Sequence, residues 1–159
     1  MGGKKTGKNP TDRAKKGVKR SLLVEADGIP LGLAVAGANC PDGKLVAETL
    51  DSIPVARPEV TPENPQGLCL DKAYVGDEVA ELAQAFHFTL HIPPKGKEAQ
   101  KLKQHARAKA RRWVVERTHS WLNRSRRLSV RWEKRLDNYL AFVHLACAQL
   151  LFHKLAVSG

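Results

Sequence analysis

Two carboxylates stand out by what surrounds them. Asp71 directly follows the apolar run Gly67-Leu68-Cys69-Leu70 and precedes Lys72-Ala73-Tyr74, while Glu116 is the single acid in RWVVERTHSWLNRSRRLSVR, Arg112 to Arg131. A lone acid among cations is ordinarily a solvated ion-pair member. An acid at the exit of a buried strand and another on a helix 45 residues later can instead converge on one divalent metal site. Mg²⁺, or Mn²⁺ in its place, takes hard oxygen ligands and keeps part of its water, so two or three carboxylates from different elements suffice. Two such ions about 4 Å apart suit phosphodiester cleavage and strand transfer, one activating the attacking oxygen and the other stabilising the leaving one.

The elements needed to position these acids can be read from periodicity. Val114, Trp121 and Leu128 recur every seven residues and predict a buried helical stripe, with Arg112, Glu116, Ser120 and Asn123 on a different face. Gly67 to Leu70 reads as a strand, Val75, Val79, Leu82, Ala83 and Phe86 as a helix, and Thr89 to Ile92 as a second strand closed by Pro93-Pro94. Strand, helix and strand make a crossover between parallel neighbours, so the fold class is α/β and Asp71 stands at a strand's carboxyl end. Upstream, Ser21 to Ala26 and Leu31 to Ala38 flank the turn signal Asp27-Gly28-Ile29-Pro30 and predict an antiparallel hairpin with both strands largely buried. Leu45, Val46, Thr49, Leu50 and Ile53 give a short helix stopped by Pro54. Residues 1–20 are Gly- and Lys-rich and read as a flexible basic arm, and 21–159 as one domain. Lys95 to Ala110 reads as a partly helical basic segment, and a last helix from about Leu136 to Leu155 is apolar on most faces, suited to burial against the sheet or a partner.

Charge narrows the substrate. Among 159 residues, 27 Lys and Arg outnumber 16 Asp and Glu, for a formal charge of +11 and a pI near 9.9, which favours a polyanion, nucleic acid first. The cations expected to hold a polyanion are Lys95, Lys97, Arg112, Arg124, Arg126 and Arg127. No unbroken apolar run approaches the ~20 residues of a membrane span and no signal peptide is visible, so a cytoplasmic protein without a membrane is expected. Cys40, Cys69 and Cys147 form no CxxC pair and read as reduced core thiols. His87 and His91 are separated by an element boundary, and Ser125 and Ser129 lack a histidine-acid partnership. His105 and His119 read as phosphate contacts or exposed residues, and Trp113, Trp121 and Trp132 as core, with stacking on bases as their alternative. Asp27 reads as a turn former, Asp12 as a turn or cap residue, and Asp42 as a helix cap with metal contact as its alternative.

Three segments carry a family resemblance: NPTDRAKKGVKRSLLVEADGIPLGLAVAGAN (Asn9 to Asn39), CLDKAYVG (Cys69 to Gly76) and RRWVVERTHSWLNRSRRLSVRWEKR (Arg111 to Arg135). Across almost the whole chain the sequence resembles the DDE transposases of bacterial insertion sequences. The resemblance implies a ribonuclease-H-like mixed sheet flanked by helices, Mg²⁺ or Mn²⁺ as cofactor, and double-stranded insertion-sequence ends as substrate. It implies that Asp71 is the second catalytic acid and Glu116 the third, with Arg112 the family's arginine four positions before the glutamate. The family's flanking tyrosine and lysine fall here on Lys109 and Asn123, which departs from the pattern, and Arg124 is the expected substitute for the lysine. Where the family often has His-Asp after the hairpin, this chain has Pro41-Asp42. The family's first aspartate lies on a strand upstream of the Gly-Lys-rich loop with which this chain begins, so that central strand and its acid are expected to be missing. Two functions follow: the C-terminal catalytic portion of a transposase, completed by an upstream segment or homo-oligomer, or a catalytically inactive DNA-binding or regulatory module.

Overall fold

In the computed structural model the described residues are 3–10, 13, 15–93 and 112–158. Asp12, Lys95, Lys97, His105, Lys109 and the basic segment Lys95 to Ala110 lie outside them. The elements are, in order, β1 (Gly7–Lys8), β2 (Lys16–Val24), β3 (Pro30–Gly37), a 3₁₀ turn Asp42–Leu45, α1 (Val46–Asp51), β4 (Gly67–Cys69), a 3₁₀ turn Lys72–Tyr74, α2 (Asp77–Ala85), β5 (Thr89–His91), α3 (Arg112–Asn123), α4 (Arg126–Ser129) and α5 (Leu136–Ser158). This is the expected mixture of strands and helices. They divide into two compact units, Met1–Pro54 with Val114–Gly159, and Val55–Trp113.

In the first unit, β2 and β3 form the expected hairpin, antiparallel from Val18↔Gly37 to Leu23↔Gly32, with a register shift before Val24. Side chains on a strand alternate, so the hairpin has two faces. Ser21 and Ala34, paired across it, face α1, where Thr49 Oγ1 bonds Ser21 Oγ at 2.7 Å and Ser52 Oγ accepts the Leu33 N–H at 2.6 Å. On the other face Val35 joins Leu122, Leu128, Tyr139, Val143 and Ala146 in a buried cluster, with Val18, Leu22 and Leu33 packed against it. The hairpin is therefore a middle layer between α1 and α3–α5. Gly32, Ala34 and Val35 of β3 are buried, whereas β2 is only half-buried, less than the sequence led us to expect.

The basic N-terminus differs from the flexible arm read from its composition. Strand β2 begins at Lys16, five residues before the expected Ser21, and β1 pairs with it at Gly7↔Gly17 and Lys8↔Lys16. Side-chain contacts add to this ladder: Lys5 Nζ pairs with Glu48 at 2.7 Å, and Arg131 Nη1 donates to the Lys4 carbonyl at 3.0 Å. Backbone pairing needs no hydrophobic periodicity, so composition alone hid it.

The second unit holds the expected parallel pair, β4 against β5 in the register Gly67↔Thr89, Leu68↔Leu90 and Cys69↔His91. Leu68, Val79 and Ala83 are buried, so α2 covers the strand between its charged outer positions. Arg57 clasps the unit. Its guanidinium lies 4.1 Å from the Phe88 ring centre, donates to Gln66 Oε1 at 3.1 Å and to the Phe86 carbonyl. Among the described residues the strands form two separate sheets, β1-β2-β3 and β4-β5.

Helix α5 corrects the expectation that no segment could span a bilayer. Its stretch Leu136–Ala156, 21 residues, is long and apolar enough to do so by length and composition. Unbroken runs are short here, but Asn138, His144 and Gln149 are outweighed when hydropathy is averaged along the helix. Tyr139, Val143 and Ala146 bury in the core, while Leu145, Phe152 and Leu155 are exposed.

Candidate active site

Asp71 is fixed by backbone. It leaves β4 in an extended conformation, φ −77° and ψ 166°, where the Leu70 N–H still donates to the His91 carbonyl at 3.0 Å. Its Oδ1 accepts the Lys72 N–H at 2.6 Å and its carbonyl accepts the Tyr74 N–H at 3.0 Å, so the residue caps the 3₁₀ turn that follows. A carboxylate offers about four acceptor sites, so one cap bond fixes its orientation without exhausting it. Cys69 shares this side of the strand and is exposed, not a core thiol, because Leu68 is the residue that points inward.

Glu116 is set by the helix behind it. Val114, Thr118 and Leu122 are buried at 4%, 0% and 1% exposure, an i, i+4, i+8 stripe that seats α3 on the core. The expected stripe of Val114, Trp121 and Leu128 is thus corrected: Trp121 is half-buried, and Leu128 is buried from α4, because α3 ends at Asn123. Glu116 lies about 200° around the helix from both Val114 and Thr118 and is exposed, as are Ser120 and Asn123. Of Arg112 the structure describes the backbone, in the first turn of α3.

A contact missed in the sequence holds α3 in place. Thr118 Oγ1 donates to the Gly28 carbonyl and Arg117 Nη2 to the Asp27 carbonyl, both at 2.8 Å. Gly28 adopts φ +87°, and a Cβ there would stand 2.9 Å from Thr118 Oγ1, so glycine is required both by conformation and by the close approach. The turn signal Asp27-Gly28 was legible; nothing local marks a docking 90 residues away.

The other candidates sort by their partners. Asp42 opens a 3₁₀ turn and pairs with Lys19 at 2.9 Å. Arg124 and Arg126 are exposed, whereas Arg127 pairs with Glu133 at 2.5 Å and lies 4.9 Å from the Phe142 ring centre. Trp113 and Trp132, read as core, are 54% and 72% exposed, since the helix stripe is filled by smaller residues. His119 is half-buried; burial pushes its pKa below the ordinary imidazole value and the Arg20 charge pushes it further the same way. Burial raises the pKa of Cys147, keeping it an unreactive thiol, with Arg20 opposing the shift. His87 and His91 are exposed, and among the described residues no three His, Cys, Asp or Glu side chains gather as a metal site. Asp71 belongs to the second unit and Glu116 to the first.

Residues 2–151 match the family described as transposase DDE domain. The chain is 35% identical over 161 residues to a putative transposase for insertion sequence element IS402 of Burkholderia cepacia, an alignment covering 95% of this chain and 70% of that protein. No solved structure matches.

Proposed function

This chain belongs to the DDE-domain transposases of insertion sequences, and from that premise we propose that Asp71 and Glu116 are the second and third catalytic acids of a metal-dependent enzyme that cleaves and transfers DNA strands. Its role is in DNA transposition. The observation that carries the site assignment is Asp71 at the carboxyl end of the parallel strand β4, the edge at which open α/β sheets receive ligands. Both acids offer hard oxygens, which fit Mg²⁺ or Mn²⁺ with water and phosphate completing the shell. The chemistry such an ion supplies when bound is activation of the attacking oxygen and neutralisation of charge on the leaving one.

The chain's own residues position the rest. The Lys72 N–H orients the Asp71 carboxylate, and the Gly28–Thr118 contact sets α3 and with it Glu116. Arg124 and Arg126 hold backbone phosphates of double-stranded insertion-sequence ends, together with Arg112, Lys95 and Lys97. Asp42 enters as a further metal contact only when Lys19 releases it. A further acid comes from an upstream transposase segment or a second copy. The upstream segment also supplies the middle strand of a ribonuclease-H-like sheet. Exposed Leu145, Phe152 and Leu155 support a homo-oligomer, and the cytoplasm is the proposed location.

The exposed Arg124 and Arg126 equally suit a second reading, a module that binds the element's DNA ends and regulates without chemistry. Strand cleavage by purified Met1–Gly159 with Mg²⁺ or Mn²⁺ separates them. The chain alone should not cut. Adding the upstream segment, fused or in trans, should restore cutting, and Asp71→Asn or Glu116→Gln should then reduce it by at least about a hundredfold. Binding without cleavage in every combination selects the regulatory reading; cleavage indifferent to both substitutions sinks the site assignment.

A further inference from the structure

Arg20 breaks the pattern of the strand that carries it. Val18, Arg20 and Leu22 share one face of β2, and their cross-strand partners are Gly37, Val35 and Leu33. Val18, Leu22, Leu33 and buried Val35 all pack into the core beneath α3–α5. A guanidinium in that row carries a desolvation cost that an acid would normally offset. Among the described residues no carboxylate pairs with it. Its Nη2 donates to Oδ1 of the exposed Asn123, a neutral amide at the surface, while its Nη1 is buried without an acceptor. Burial lowers the pKa of His119 in α3 and raises those of Tyr139 and Cys147 in α5, and the Arg20 charge reaches all three, adding to the first shift and opposing the other two. A cation placed in the core, reaching the surface at one nitrogen and left without a counter-charge, is a site awaiting an anion.

We propose that Arg20 binds a DNA backbone phosphate at the Asn123 end of α3, exchanging the Asn123 amide for a phosphate oxygen when DNA arrives. The inference rests on the DNA-binding reading above and adds a residue to it. The amide oxygen offers the guanidinium only a dipole, whereas a phosphate oxygen offers a full opposite charge, so phosphate displaces the amide. The planar guanidinium matches two phosphate oxygens, which gives the inner nitrogen an acceptor as the side chain swings outward. Glu116 and Asn123 lie on one exposed face, seven residues apart. That spacing is about 10 Å along the helix, roughly three base-pair rises of duplex, so one DNA segment reaches both. Arg20 is a positioning residue for that segment.

The test uses the full chain and the element's duplex ends. Arg20→Met keeps the length and apolar stem, so its thermal midpoint should equal or exceed that of the unaltered chain. Its plot of log affinity against log salt should be shallower by about 0.9, one phosphate contact, with binding about tenfold weaker at low salt. Asn123→Asp covers the case in which Arg20→Met does not fold: the new carboxylate pairs with Arg20 from an exposed position and should weaken binding well beyond Ser120→Asp, the same charge change one turn away. An unchanged slope in Arg20→Met, or equal loss from the two aspartates, overturns the proposal. Inorganic phosphate, compared with chloride at equal ionic strength, should raise the midpoint of the unaltered chain more than that of Arg20→Met, or than that of Asn123→Asp should Arg20→Met not fold. If the chain binds no DNA yet that difference persists, the DNA reading fails and the anion site stands; if the difference is also absent, Arg20 is not an anion site.

Discussion

His119 sits one helical turn from the exposed acid Glu116, yet it is half-buried, and its pKa is pushed down. Burial first, and the Arg20 charge second, depress the folded pKa of His119. A depressed imidazole pKa means that the folded protein refuses a proton which the unfolded chain accepts below its ordinary value of about 6.5. Stability is therefore present above that pH and is lost as the pH falls through it toward the folded value, at no more than about 1.4 kcal/mol per pH unit for one proton. Urea unfolding at pH 7.5 and 5.5 should show a larger loss for the unaltered chain than for His119→Gln; equal losses would assign the pH dependence elsewhere. Asp71 and Glu116 could be singled out as candidates at this scale because each contrasts with its neighbours in type. Arg20 could not. In KKGVKRSLLV it is one cation among several, and only the register Arg20↔Val35 turns it inward.

Periodicity conveyed the elements and missed their docking. The hairpin, the parallel pair β4–β5 and the Glu116 helix follow from alternation, turn residues and a 3.6-residue repeat. The contact that orients α3 is a buried hydroxyl and a guanidinium on two backbone carbonyls, which leaves no repeat to read. Thr118→Val preserves shape and removes the donor, leaving the Gly28 carbonyl unsatisfied, and should cost about 1–2 kcal/mol of stability. Gly28→Ala forces a residue with a side chain to φ +87° and drives its Cβ against the same hydroxyl, for about 1–3 kcal/mol. Because both lesions fall on one contact, the double variant should lose less than the two single losses combined. Denaturation midpoints decide this, and strict additivity would mean that the turn and the helix are braced independently.

For the whole molecule, the formal charge of +11 overstates the field that DNA meets. Lys5, Lys19, Arg127 and Arg135 are each paired with an acid, at 2.7, 2.9, 2.5 and 3.6 Å. Arg124 and Arg126 are exposed with no acid partner among the described residues, one between α3 and α4 and the other opening α4. Composition could announce a polyanion partner but not which cations remain available for it. If four or more phosphates are neutralised, affinity should fall about a hundredfold or more between 50 and 200 mM salt. Arg124→Ala with Arg126→Ala should make the slope of log affinity against log salt shallower by about 1.8, two phosphate contacts. Lys5→Ala with Arg127→Ala removes the same formal charge from paired positions and should change the slope by less, since those cations must first give up their carboxylates. Filter binding over a salt series measures all three slopes. Equal changes from the two double variants would mean that DNA responds to net charge alone, and the exposed Arg124–Arg126 segment would lose its claim to be the phosphate-binding edge beside Glu116.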